Sequence, residues 1–227
     1  MTESSPTVLN DEELVVALAP MSLRSTLDTP GVAAQEGRPV AEPGGAVALF
    51  DHYESGLFDS PFAAPGASQA SAERRNEVAV SVAFQAVVAQ VVNPVLLAHR
   101  VLGIGVAPDL GDVRWRADGW GTRFGLASFG RCEPRGLVEV ISMLEDQVVK
   151  PWLAVVLSIG CVPERTLRGN ACAALWTAVQ AVDRHVALTA GEWAGLHALG
   201  LSGGRDTCCL IHHAGLVACD ECPRAPA

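Results

Sequence analysis

The chain has 227 residues and a formal net charge of −9, from 16 Lys and Arg against 25 Asp and Glu. That length can bury one substantial core, and that balance argues against nucleic acid, whose phosphates require clustered Lys and Arg. The basic runs, Arg74-Arg75 and Arg114-Trp115-Arg116, are too short to form such a surface.

Met1 is followed by a polar, acidic stretch without the basic and apolar regions of a secretory signal. The expected compartment is the cytoplasm, with the protein either free or peripheral to the inner face of the membrane. In that compartment the seven cysteines read as metal-binding or redox-active rather than as a disulfide framework.

Asn10-Asp11-Glu12-Glu13 before Leu14-Val-Val-Ala-Leu predicts a short capped helix that stops before Pro20. From Thr29 to Ala70 the composition turns to Gly, Pro, Ala and Ser, which predicts a mostly irregular linker. Within it, Ala46-Val-Ala-Leu-Phe50, Tyr53, Phe58 and Phe62 are expected to dock on the core. Residues 1–70 thus read as an N-terminal extension, 71–204 as a helical body with a β-hairpin, and 205–227 as a cysteine-bearing segment.

Ser71-Ala-Glu opens a long helix that runs through Val101 and can end at Gly103. Its apolar positions go almost all the way round, the mark of a buried helix. Polar and charged residues interrupt both this run and Leu137–Cys161. Neither offers the roughly 20 uncharged residues of a membrane span. Val113-Arg-Trp-Arg-Ala-Asp, then Gly119 and a second alternating run to Leu126, predicts a hairpin around Asp118-Gly119. Trp115 should face one side, with Arg114 and Arg116 on the other.

Gly136-Leu137 leads into a second long helix ending near Gly160, Pro163-Glu164 opens a third through His185, and Ala190 begins a shorter one to Leu199. Gly200–Gly204 reads as a hinge. Gln90-Val-Val-Asn-Pro94 echoes Gln147-Val-Val-Lys-Pro151 and predicts two helices kinked at internal prolines. The expected architecture is mainly helical α+β: long kinked helices, a small β-hairpin or sheet, and a C-terminal iron–sulfur segment.

That last segment holds Cys208, Cys209, Cys219 and Cys222. Cys-x-x-Cys is a half-site shared by zinc and iron–sulfur centres, because a two-residue turn puts both sulfurs on one side of the backbone. Directly adjacent Cys208-Cys209 suits a 2Fe-2S rhomb better than a single zinc tetrahedron, and both metals remain open on spacing. Cys132, Cys161 and Cys172 lie in or beside apolar runs and read as small buried core residues. No Gly-x-Gly-x-x-Gly or Walker loop follows a predicted strand, so no nucleotide or flavin site is expected.

From about residue 72 to 223 the chain resembles the FhuF-like ferric-siderophore reductases. The likeness is carried, in order, by Asn93-Pro94-Val-Leu in the long helix, Pro108-Asp-Leu, Val-Arg-Trp-Arg, Arg168-Gly169-Asn170-Ala-Cys-Ala-Ala-Leu, and the terminal cysteines. It departs from the family pattern in two places. Nine rather than ten residues separate Cys209 from Cys219, and Leu167-Arg168 stands where a Trp commonly precedes Gly-Asn.

The resemblance implies that Cys208, Cys209, Cys219 and Cys222 hold a 2Fe-2S cluster. It further implies that the chain reduces Fe(III) in an imported ferric siderophore, using electrons from an unidentified protein or small reductant. Asn170, Arg168 and Trp115 are the expected substrate contacts, and Arg205 and Thr207 the expected donors near the thiolates. His212 and His213 stay outside the ligand set. The competing expectations are a non-catalytic module stapled by zinc and a 2Fe-2S electron carrier or sensor.

Overall fold

The structure, a computed structural model, describes residues 37–61, 63, 65–128, 130–201 and 210–211. In chain order these form β1 (Arg38–Pro39), α1 (Pro43–Phe58), α2 (Ala72–Leu97), β2 (Gly105–Ala107), β3 (Val113–Asp118), β4 (Gly121–Leu126), β5 (Gly130–Cys132), α3 (Leu137–Leu144), α4 (Lys150–Ile159), α5 (Glu164–His185) and α6 (Ala190–Ala198). The fold is mainly helical α+β with small antiparallel sheets. The helix expected after Asn10, and Phe62, lie outside the described residues.

Helix α2 is the axis. Ser71 accepts a hydrogen bond from the Arg74 N–H at 3.3 Å and caps its start. Val80, Phe84, Val87, Val91 and Leu96 are each buried to 2 % exposure or less along it, because α5 packs on one side and α1 on another. A helix covered from several directions needs apolar residues all round. The continuous helix Ala72–Leu102 is long and apolar enough to cross a membrane, yet 67 % of its most apolar stretch is buried by the rest of the fold.

Both internal prolines sit beside a π-helical turn. Pro94 lies inside α2 shortly before the turn Ala98–Leu102, and Pro151 lies two residues after the turn Glu145–Val149 that joins α3 to α4. A proline cannot donate to the carbonyl one turn back and crowds it sterically. At Pro151 that carbonyl belongs to Gln147, inside the widened turn, which lets the helix absorb the conflict without ending; at Pro94 the widened turn comes after the proline. The echo in sequence thus marks a local change of winding in two continuous helices.

The region expected to be irregular contains a 16-residue helix instead, α1. Pro43 pre-sets the first-turn backbone, and Ala46, Leu49 and Phe50 line a buried stripe with Tyr53 packed beside it. Tertiary packing overrides the poor propensity of Gly44-Gly45. Gly45 is also a junction: a Cβ there would stand 1.8 Å from the Pro39 carbonyl oxygen, and its own carbonyl accepts the Trp115 indole N–H at 3.0 Å.

Gly45→Ala should therefore cost about 2 kcal/mol by chemical denaturation. Roughly 3 kcal/mol of overpacking against backbone is offset by about 1 kcal/mol of helix propensity. An alanine variant as stable as the parent would refute the close approach of β1 and α1.

The sheet order is β1-β3-β4, with Trp115 opposite Phe124 and Arg116 opposite Arg123. As the alternation predicts, Val113 and Trp115 are buried while Arg114 and Arg116 are only half-buried. The two-residue loop is Gly119-Trp120, one position later than expected, with Gly119 at φ +59°. A positive φ at the first loop position alone is the type II′ pattern, which takes glycine there. Strands β2 and β5 pair separately.

On the other side of α2, Trp152 of α4 is fully buried. Its ring stacks on Phe84 at 6.3 Å and 4°, tilts against Phe50 at 6.0 Å, and its N–H reaches the Phe84 carbonyl at 3.3 Å. One indole thus ties α1, α2 and α4 together.

Candidate metal centre and its surroundings

The cysteine segment departs from α6, and that helix is held at several points. Thr189 and Glu192 form a capping box at its start. The second oxygen of Glu192 takes the Arg100 guanidinium at 2.8 Å, tying α6 to the end of the long helix. Trp193 meets Trp176 of α5 at 5.7 Å, and Gly195 lies so near Val138 that a Cβ would come within 2.5 Å of its methyl.

At the other end Gly200, at φ +79°, closes the helix: its N–H bonds the His197 carbonyl, and the Leu201 N–H reaches back to Leu196 at 3.0 Å. That is a Schellman cap with its accompanying apolar contact, since Leu201 is 4 % exposed and Leu196 fully buried. The described part of the expected Gly200–Gly204 hinge is thus a docked stop rather than a pivot.

Cys208, Cys209, Cys219, Cys222, Arg205, Thr207, His212 and His213 lie outside the described residues. The residue after the adjacent thiols is described. Leu210 is half-buried at φ +69°, the one non-glycine residue with a positive φ among those described. It packs against the main core and against a satellite cluster of Phe58, Ala67 and Val78.

The three upstream cysteines are not the buried core residues expected. Cys132 and Cys161 are half-buried and Cys172 is exposed. The apolar stretch around Cys172 misled because Ala171, Ala173 and Ala174 take the inward face of α5 and leave position 172 outside. Burial, reinforced by Glu77, pushes the Cys161 thiol up and keeps it protonated at neutral pH. Among the described residues no three His, Cys, Asp or Glu side chains converge as a metal site.

Two of the three expected substrate contacts sit inside the protein. Asn170 is fully buried, and its amide donates to the Ser81 carbonyl and hydroxyl of α2, each at 2.9 Å. It clamps α5 to α2 and presents nothing to solvent. Trp115 is 4 % exposed, because β1 and α1 cover that face of the hairpin. The exposed hairpin indole is Trp120, at 48 %. Arg168 does stand on the surface of α5, ion-paired at 2.7 Å with Glu164 one turn earlier.

A histidine that sequence reasoning passed over is built into the fold. His99 is 3 % exposed. Its Nδ1 accepts the Arg135 N–H at 3.2 Å, and its Nε2 meets Val106 twice, 2.8 Å from the carbonyl oxygen and 3.0 Å from the N–H. The ring thereby fastens the π-helical turn to β2 and to the approach of α3. Burial holds its pKa below 6.5, with Arg135 adding to the effect and the Val106 hydrogen bond opposing it.

A histidine whose folded pKa is depressed stabilises the fold fully above its unfolded value of 6.5, and that stability is lost as pH falls through 6.5 toward the folded value. Urea unfolding should therefore show a decline from pH 7.5 to pH 5.5 that His99→Gln flattens. Parallel pH profiles for the two proteins would remove His99 from that role.

No protein-family model matches the chain, and no curated protein matches it.

Proposed function

We propose that the chain is a 2Fe-2S protein that reduces Fe(III) in imported ferric siderophore complexes by one electron. The observation that carries this reading is the donor set, Cys208-Cys209 with Cys219-x-x-Cys222 near the carboxyl end. Four thiolates with an adjacent pair match the chemistry of a two-iron centre. One feature of the body is consistent with it: Leu210, the residue next to the adjacent pair, packs against the core. The resemblance to the FhuF-like reductases adds the substrate class.

When bound, such a cluster supplies a one-electron carrier whose potential follows burial and hydrogen bonds to its sulfurs. Siderophores grip Fe(III) through hard oxygen ligands and hold Fe(II) far more weakly. One electron added to the complex therefore frees Fe(II) and returns the chelator intact. The electron comes from a separate protein or diffusing reductant, because the sequence offers no nucleotide loop. Arg168 is the proposed surface contact for an anionic chelate, whereas Arg205 and Thr207 are proposed to offset thiolate charge.

Anaerobically purified protein should be red-brown, with about two irons and two acid-labile sulfides per chain, and the reduced form should be oxidised by ferric siderophores in stopped flow. Colourless protein with stoichiometric zinc would establish the zinc-stapled module instead. A coloured protein indifferent to ferric chelates would be an electron carrier or sensor.

A further inference from the structure

His99 sits in the π-helical turn Ala98–Leu102 with backbone groups at both ring nitrogens. The Arg135 N–H points at Nδ1 from 3.2 Å, and Val106 brings its N–H to 3.0 Å and its carbonyl to 2.8 Å of Nε2. A neutral imidazole has one proton and one bare nitrogen, so in either tautomer one of the two backbone N–H groups finds a lone pair. The imidazolium carries a proton on both nitrogens and offers none. Only the Val106 carbonyl is then served, and both backbone N–H groups face an N–H.

The element on the far side of the ring is small. Strands β2 and β5 pair over three residues, Gly105 with Cys132, Val106 with Arg131 and Ala107 with Gly130. A two-stranded ribbon of that length is not stable alone, and His99 supplies its hydrogen bonds to the helical body at Val106. Cys132 is half-buried at the end of this ribbon, its carbonyl so near Gly105 that a Cβ there would stand 1.8 Å away.

Burial, opposed by the Val106 hydrogen bond and aided by the charge of Arg135, keeps the ring neutral at pH 7. The other charges on the surrounding elements are Arg100 in the same turn, ion-paired with Glu192 of α6, Arg131 on β5, and Glu139 of α3, which accepts the Gly136 N–H. Helix α5, which also packs on the turn, ends in Asp183, Arg184 and His185; α2 carries its charges at its far end, Glu73 to Glu77, and β2 carries none.

We propose that His99 is an acid-sensitive clasp: protonation of its ring releases the β2–β5 ribbon and the approach to α3 from the π-helical turn, uncovering the Cys132 thiol while the α2–α5 body stays folded. This goes beyond an overall loss of stability in acid, because it places the opening in one corner. The folded ring titrates below 6.5 and the released ring at its ordinary value, so the clasp holds above pH 6.5 and weakens as pH falls below it.

Hydrogen exchange on the full-length chain, with alkylation of Cys132 followed by mass spectrometry, locates the opening. Each rate is divided by that of the same site in the urea-unfolded chain at the same pH, which removes the intrinsic pH dependence. Between pH 7.5 and pH 5.5 the protection of the Val106 and Arg135 amides and of Cys132 should fall about ten-fold, the ratio for a site that takes its proton at 6.5 only when open. Peptides spanning Ser81 and Asn170 should keep theirs. His99→Gln, whose amide accepts and donates without titrating, should make protection at the three sites independent of pH. A glutamine variant that kept the ten-fold fall would assign the titration to another group and overturn the clasp. Two results on the parent alone would do the same, so the test survives a variant that fails to fold: equal loss of protection in the corner and in the α2–α5 body, or no change with pH at Val106, Arg135 and Cys132.

Discussion

Cys209→Ser or Cys222→Ser should abolish cluster assembly and siderophore-dependent oxidation together. A serine oxygen is a harder ligand than a thiolate and stays protonated at neutral pH, so one iron would be left with an incomplete soft donor set. The informative contrast comes from the other cysteines. Cys172→Ser alters an exposed side chain on α5, and Cys132→Ser a half-buried one on β5. Both should keep about two irons per chain and the parent's rate of oxidation by ferric chelates. If Cys209→Ser lost its iron and sulfide but still reduced siderophore iron at the parent rate, electron transfer would have to run by another route.

Much of the body was legible because its punctuation is local. Ser71 caps α2, Gly103 takes the left-handed position that ends it, Pro163 precedes α5, and Thr189 with Glu192 boxes α6. Each signal acts within a turn or two of its own position, so a single sequence carries it. Helix α1 was hidden because its glycines and proline spell a loop in isolation. Only contacts with β1, α2 and α4, distant in sequence, make it a helix.

The same limit explains Trp115. Alternation gave its face correctly, but whether that face is open depends on Gly45, 70 residues away, whose carbonyl takes the indole N–H. His99 was passed over for a related reason: its partners Val106 and Arg135 come from two other segments that local patterning does not bring together. Adjacency and Cys-x-x-Cys spacing are properties of the chain itself, so sequence alone singles out Cys208, Cys209, Cys219 and Cys222, which lie outside the described residues. The packing of Leu210 against the cluster of Phe58, Ala67 and Val78 could not be read there, because those residues are distant from it in sequence.

Asn170→Asp should be among the most destabilising isosteric changes in the protein, at about 3–5 kcal/mol, the cost of leaving a buried charge uncompensated. The amide now gives two hydrogen bonds to Ser81 across the junction of α2 and α5, at 2.9 Å each, with its side chain fully buried. A carboxylate in its place cannot donate and would set a negative oxygen against the Ser81 carbonyl. The new carboxyl would avoid that by staying protonated, so its folded pKa would lie above its unfolded one. A group with a raised folded pKa favours folding at low pH and loses that contribution as pH rises. The deficit relative to the parent should therefore shrink from pH 7 toward pH 4 in urea titrations. That signature separates a clamp from a substrate contact: a variant that folds with parental stability at both pH values, and loses only siderophore reduction, would return Asn170 to the substrate face.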